Sequence, residues 1–167
     1  TRAQTALPQL HLSSTQLILS HHTTERTLPA LRDTARAMLA VDADVYKLVF
    51  TATHPDDALT AQEVQHIFRA AGKRYIVHAM GEEGILSRLL GAIHGNAWTY
   101  VATSEATGTA PGQLTLQDAY DYDIPHKQQN AAVLGLLGWP TRYSKGRFLH
   151  NALLRRSFPD TPVPFLY

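Results

Sequence analysis

The sequence predicts an α/β protein with a parallel sheet, and three observations lead there. Apolar runs rich in β-branched and aromatic residues recur at 16–20, 45–50, 74–79 and 98–102. Their starts lie roughly 24 to 29 residues apart, the length of one strand plus one helix. The segments between them carry helical spacing and helix-start signals. Four β/α units are half of an eight-stranded TIM-type (β/α)8 barrel, an architecture that keeps its chemistry at the carboxyl ends of the strands.

Taken in order, the first run is closed by His21 and His22, and a helix is expected over 28–39, where apolar residues recur at helical spacing. The second run, Val45-Tyr46-Lys47-Leu48-Val49-Phe50, reads as a buried strand. Thr60-Ala61-Gln62-Glu63 has the form of a capping box, predicting a helix that opens there and runs through residue 71. The third run is closed by His78 and Met80, and a helix over 83–93 ends at His94-Gly95-Asn96. After the fourth run come a Gly/Pro loop at 108–113 and a short helix at 115–122. The polar stretch 123–130 reads as a linker. Beyond it, an apolar strand at 131–137, Gly138-Trp139-Pro140, a helix at 148–156 and a strand at 163–167 open a second β-α-β unit.

Composition narrows the function classes. The chain has 167 residues, enough for one ordinary domain or pieces of two. It contains no cysteine, so neither a disulfide framework nor a thiolate metal site is expected. Fifteen basic residues against 14 acidic ones provide no electrostatic footprint for nucleic acid or an anionic membrane. The longest apolar stretch, 131–137, is too short to cross a bilayer. The chain starts at Thr1 rather than Met, which predicts a processed start or a segment of a longer protein. With no basic-then-apolar leader pattern, a cytoplasmic location is expected.

Lys47 is the only charge in its strand, and two readings of it compete. A strand lysine commonly faces solvent or guards a sheet edge. If turned inward, its ammonium would be desolvated and its pKa lowered, which suits an amine that attacks a ketone to form a Schiff base. An inward Lys47 would lie near His22, and an imidazole base beside an iminium is a recognisable kit for carbonyl chemistry. Each neighbour also has a structural reading. His22 could be a solvated loop residue, Arg88 could pair with Glu82 or Glu83 on a helix surface, Gln113 could brace its own loop, and His78 could be a packed core histidine.

In order and spacing, Ser20-His21-His22, Asp44-Val45-Tyr46-Lys47, the segment Met80-Gly81-Glu82-Glu83-Gly84-Ile85-Leu86-Ser87-Arg88, and Ala110-Pro111-Gly112-Gln113 resemble the active-site segments of type I 3-dehydroquinate dehydratases. The resemblance covers residues 14–122 and implies the carboxyl-terminal half of that family's barrel, assigned here to residues 1–122. It implies conversion of 3-dehydroquinate to 3-dehydroshikimate and water, with no cofactor and no metal. Lys47 would form the imine, His22 would act as acid and base, Arg88 would hold the substrate carboxylate, and Thr109 and Gln113 would contact carboxylate or hydroxyls.

A second resemblance follows the linker. Val133-Leu134-Gly135-Leu136-Leu137-Gly138-Trp139-Pro140, Tyr143-Ser144-Lys145 and Leu149-His150-Asn151 resemble the amino-terminal signature of shikimate dehydrogenases. On this resemblance residues 131–167 would begin a substrate-binding domain, with Ser144 as a substrate contact. NADP would serve the reduction of 3-dehydroshikimate to shikimate, held by a domain that these residues do not include, since no G-x-G-x-x-G occurs.

The departures are specific. Thr23 stands where the dehydratases usually have Asp, His78 where they have Met, and Gly146 where the dehydrogenases have a second serine. The amino-terminal half of the barrel is not represented, so these residues are expected to be unstable and inactive as an isolated monomer. Two rival functions compete with the dehydratase. One is a catalytically silent regulatory or interaction module. The other is a metal-dependent hydrolase using His21, His22 and His78 with a carbamylated Lys47, which the opposite facing of adjacent strand residues disfavours.

Overall fold

The computed structural model describes residues 15–122, 124, 132–136, 138, 140, 141, 143–157, 165 and 166. Most of the predicted linker, 123–130, lies outside them. The described elements run β1 (Ile18–Thr23), α1 (Leu28–Leu39), β2 (Val45–Thr51), α2 (Asp57–Ala70), β3 (Arg74–Met80), α3 (Ile85–Ile93), α4 (Leu116–Asp121), β4 (Ala132–Val133), α5 (Gly146–Ser157) and β5 (Phe165–Leu166). The first three strands form a parallel sheet in the order β1-β2-β3, and β4 pairs with β5 in a separate parallel pair.

Strand alternation divides the main sheet into two unlike faces. Tyr46, Leu48 and Phe50 align with Tyr75, Val77 and Ala79 on one side. Against this face α1 packs Leu31, Ala35 and Met38, and α2 packs Ala61, Val64 and Phe68. Phe68 stacks between Tyr46 and Tyr75, with centroid distances of 5.5 and 6.1 Å. The Tyr46 hydroxyl donates to the Val41 carbonyl at 2.7 Å and accepts from the Ala43 N–H at 3.1 Å, so its polar end is satisfied inside the core. Burial of each large side chain here contributes about 1.5–3 kcal/mol.

The structure corrects four sequence expectations. The strand placed at 16–20 is Ile18–Thr23, so His21 and His22 lie inside β1, in register with Leu48 and Val49. The helix opened by Thr60 starts instead at Asp57, because the Asp57 carboxylate accepts the N–H groups of Thr53 (2.8 Å) and His54 (3.1 Å) and sets the turn three residues earlier. Glu63, expected to reach back to the helix start, pairs with Arg32 at 3.2 Å.

The third correction concerns the fourth strand. Residues 98–101 add no strand to the sheet, and Ala102 makes only an isolated bridge to Thr115. The reason lies on the outer edge of β3, whose backbone groups are already taken. Ala97 N–H donates to the Tyr75 carbonyl at 2.7 Å. The Asn96 amide accepts from Val77 N–H at 3.0 Å and donates to the Val77 carbonyl at 3.1 Å, in the manner of a strand residue. Ser87 Oγ accepts from Ala79 N–H at 2.8 Å. Segment 98–101 crosses the other face of the sheet, with the Trp98 ring 5.8 Å from the Arg74 guanidinium and the Tyr100 ring 4.7 Å from Lys47 Nζ.

Beyond the linker, the strand expected at 131–137 is confined among the described residues to Ala132–Val133, the one expected at 163–167 is described only at Phe165–Leu166, and the helix expected at 148–156 is longer, Gly146–Ser157. The buried Asn151 ties this helix to α4 by donating to the Asp121 carbonyl at 3.1 Å. Helix α4 itself opens on a capping box formed by Thr115 and Asp118.

Candidate active site

The second face of the sheet carries the chemistry. Two register rungs set it up: Ser20, Lys47 and Ile76 on one, His22, Val49 and His78 on the next toward the carboxyl ends. Parallel pairing directs aligned residues to the same side, so Lys47, His22 and His78 share a face. His21 falls on the opposite parity, aligned with Leu48 and Val77 of the helix-covered side. The three histidines of the metal-hydrolase reading are therefore split between two faces, and no group of three potential ligands gathers among the described residues.

Lys47 is half-buried rather than enclosed, with its ammonium against the Tyr100 ring. The sequence reading passed over Tyr100, although Trp98 and Tyr100 alternate in the fourth run and so could both reach one side. Burial lowers the His22 pKa below its ordinary value, with further contributions from the charge of Lys47 and from His21. His22 is thus biased toward the neutral imidazole that a base requires.

Arg88 enters from α3, and the turn before that helix explains how. Ser87 Oγ donates to the Gly84 carbonyl at 2.6 Å while accepting from Ala79 N–H, which pins the first turn of α3 to the end of β3. A side chain at Gly84 would collide with the Ala79 carbonyl, so glycine permits this approach. Arg88 is only 3 % exposed, its Nε has no hydrogen-bond partner, and it makes no ion pair among the described residues. The surface pairing with Glu82 or Glu83 that the sequence allowed does not occur. Burial lowers the pKa of its guanidinium to about 10, which leaves it charged at neutral pH.

His78 is buried on the same face, and its pKa is lowered to about 3 by burial and by the charges of Arg88, Lys47 and His22. These effects gather four nitrogen-bearing side chains in one electrostatic neighbourhood. Among the described residues the ion pairs join Arg32 to Glu63, Arg36 to Asp33 and Lys73 to Asp42, so neither Lys47 nor Arg88 has a carboxylate partner. Two uncompensated cations beside two neutral imidazoles suit an anionic ligand bearing an electrophilic carbon.

The loop at 108–113 borders this end of the sheet. Gly81 N–H donates to the Pro111 carbonyl at 3.1 Å, and Gly112, at φ +68°, presses its Cα so close to the Gly81 carbonyl that a Cβ would overlap it. The Gln113 side chain accepts from Thr109 N–H at 2.8 Å and from its hydroxyl at 3.0 Å. Gln113 therefore braces its loop, and both proposed contacts are mutually engaged. Ser144 accepts the Gly146 N–H at 3.1 Å, so its hydroxyl helps to open α5. Thr23, which replaces the expected Asp, accepts the Glu25 N–H at 3.0 Å.

Residues 2–123 match the family model described as Type I 3-dehydroquinase. The Shikimate biosynthesis protein AroDE of Chlamydia pneumoniae is 32% identical over 142 residues, covering 84% of this chain and 28% of that protein. A 3-dehydroquinate dehydratase of Dehalococcoides mccartyi is 36% identical over 101 residues, covering 59% of this chain and 45% of its own length. Among solved structures, the 3-dehydroquinate dehydratase of Geobacillus kaustophilus HTA426 aligns with a TM-score of 0.57 at 27% identity, over 64% of this chain and 42% of that one. The structure of dehydroquinate dehydratase and shikimate dehydrogenase from S. pombe AroM aligns over 94% of this chain and 29% of that one, with a TM-score of 0.57 and 26% identity. The chain thus spans less than half the length of these relatives. By its family match over residues 2–123, the chain belongs to the type I 3-dehydroquinase family.

Proposed function

We propose that the parent protein converts 3-dehydroquinate to 3-dehydroshikimate and water through an imine on Lys47. The observation that carries this reading is the shared face of Lys47 and His22, with the buried and unpaired Arg88 close enough to act on the same neighbourhood. The Lys47 amine adds to the substrate ketone and water leaves, giving an iminium. The iminium acidifies the adjacent C–H, and neutral His22 takes that proton. The resulting electron pair expels the β-hydroxyl, which accepts the proton from His22 and departs as a second water. Hydrolysis of the conjugated iminium frees Lys47 and the product, so one water is released overall. Arg88 holds the carboxylate, and its planar fork would answer both oxygens. Thr109 and Gln113 shape the loop beside the substrate.

In this reading residues 1–122 are the carboxyl-terminal half of a TIM-type barrel that includes the described sheet, with a linker at 123–130. Residues 131–167 begin a shikimate dehydrogenase substrate domain with Ser144 as a contact, and NADP is held by a further domain. The relatives that carry both names support this order. Thr23 favours a second reading, a dehydratase-like module without turnover, because no acid follows His22.

The test is borohydride reduction of the full-length protein with 3-dehydroquinate, followed by peptide mass spectrometry. A reduced adduct on Lys47 is expected. A folded sample that binds the substrate without forming this adduct would sink the imine mechanism and leave the silent module.

A further inference from the structure

We propose that His78 is a specificity-determining substrate contact, hydrogen-bonding a ring hydroxyl that lies between the groups held by Lys47 and Arg88. The inference rests on the imine reading of the site and adds a residue that the family resemblance treats only as a departure.

Position comes first. His78 aligns with His22 across Val49, so the two imidazoles flank the middle strand, with Lys47 rising between them from the preceding rung. Two strand spacings separate their backbones, about 10 Å, which is the width of a six-membered ring with its substituents. The second observation is the lack of a partner. His78 is 6% exposed, yet its imidazole makes no hydrogen bond among the described residues. The ring nitrogens are not sealed from solvent, so a ligand hydroxyl on this face can take the place of water there. The core face of the same strand contains no such residue: Tyr75 donates to the His94 carbonyl, while Val77 and Ala79 are apolar. On the helix-covered side, Gln65 donates its amide N–H to the Val77 carbonyl and leaves its Oε1 without a partner among the described residues, whereas on the other side the groups without partners include the charged Lys47 and Arg88.

The protonation state fits the task. Burial and the surrounding cations hold the His78 pKa at about 3, so the ring is neutral in the physiological range. It then offers one N–H donor and one lone-pair acceptor, a match for a hydroxyl, without placing a third positive charge beside Lys47 and Arg88. A neutral ring of this kind discriminates by leaving itself unpaired when the hydroxyl is missing.

The experiment compares the full-length wild type with His78→Met and His78→Gln, using 3-dehydroquinate and an analogue in which one ring hydroxyl is replaced by hydrogen. His78→Met should raise KM for the natural substrate by roughly tenfold and remove most of the preference over the analogue, while His78→Gln restores much of both. Unchanged KM and unchanged preference in His78→Met would overturn the proposal. Borohydride trapping is run in parallel on wild type. A Lys47 adduct there with unaltered preference in the variant defeats the His78 role alone, whereas a missing wild-type adduct defeats the imine reading itself. If the variants do not fold, nitrogen NMR of wild type with labelled histidine decides. A shift of the His78 ring signals on formation of the reduced adduct is expected, and unmoved signals would refute the contact.

Discussion

The two faces of the three-stranded sheet follow opposite rules although they are built from the same residues in alternation. On the helix-covered face the Tyr46 hydroxyl is answered by Val41 and Ala43, and Gln65 Oε1 is the buried acceptor left over among the described residues. The other face contains Lys47 and Arg88 without carboxylates, and His78 without a hydrogen bond, among the described residues. The large apolar cluster is concentrated on one parity, and the cations without carboxylate partners on the other. The difference teaches that the second face is organised for something the chain itself does not supply.

The sharpest way to break this division is to exchange the expected losses. Lys47→Ala should reduce turnover by on the order of a thousandfold or more, as for a covalent nucleophile, with little change in melting temperature. Phe50→Ala should do the reverse, costing about 3–5 kcal/mol of stability in chemical denaturation, with imine trapping retained in the fraction that stays folded. If both variants lose stability alike, the two faces are not separable.

Arg88→Met addresses the middle ground. Removing an uncompensated buried cation should leave the protein at least as stable, while KM for 3-dehydroquinate rises by about ten- to a hundredfold from loss of the charged fork. A clear fall in melting temperature would instead mean that Arg88 serves the fold. The smallest effect concerns acid. The folded-state pKa of His78 is about 3, below its ordinary 6.5, so between these values the unfolded chain binds more protons. That contribution to stability is full above pH 6.5 and is lost as pH falls toward 3. His78→Met should therefore flatten the melting temperature profile between pH 7 and 4, and an unaltered slope would place the acid sensitivity elsewhere.

The strands through Lys47 and His78 were legible because periodicity and β-branched content report burial directly. Lys47, His22 and Arg88 were legible as a group through motif order. Segment 98–101 was not, since the same apolar pattern serves a sheet strand or a strap across a sheet face. What distinguished them was the Asn96 amide, whose competition for Val77 is a tertiary contact invisible to local pattern. Thr60 failed as a cap for a related reason: Asp57, three residues upstream, captured two backbone donors first. Thr115 and Asp118, by contrast, do form a capping box at the start of α4. The unpartnered state of His78 depended on neighbours from other elements, and no single segment could reveal it.

The side-chain amide of Asn96 has one further effect. By occupying Val77, with Ala97 and Ser87 on either side, it plugs the outer margin of β3 against strand addition. An intruding chain would have to displace three sets of hydrogen bonds before gaining any. Growth of the sheet past β3 is therefore blunted at this margin.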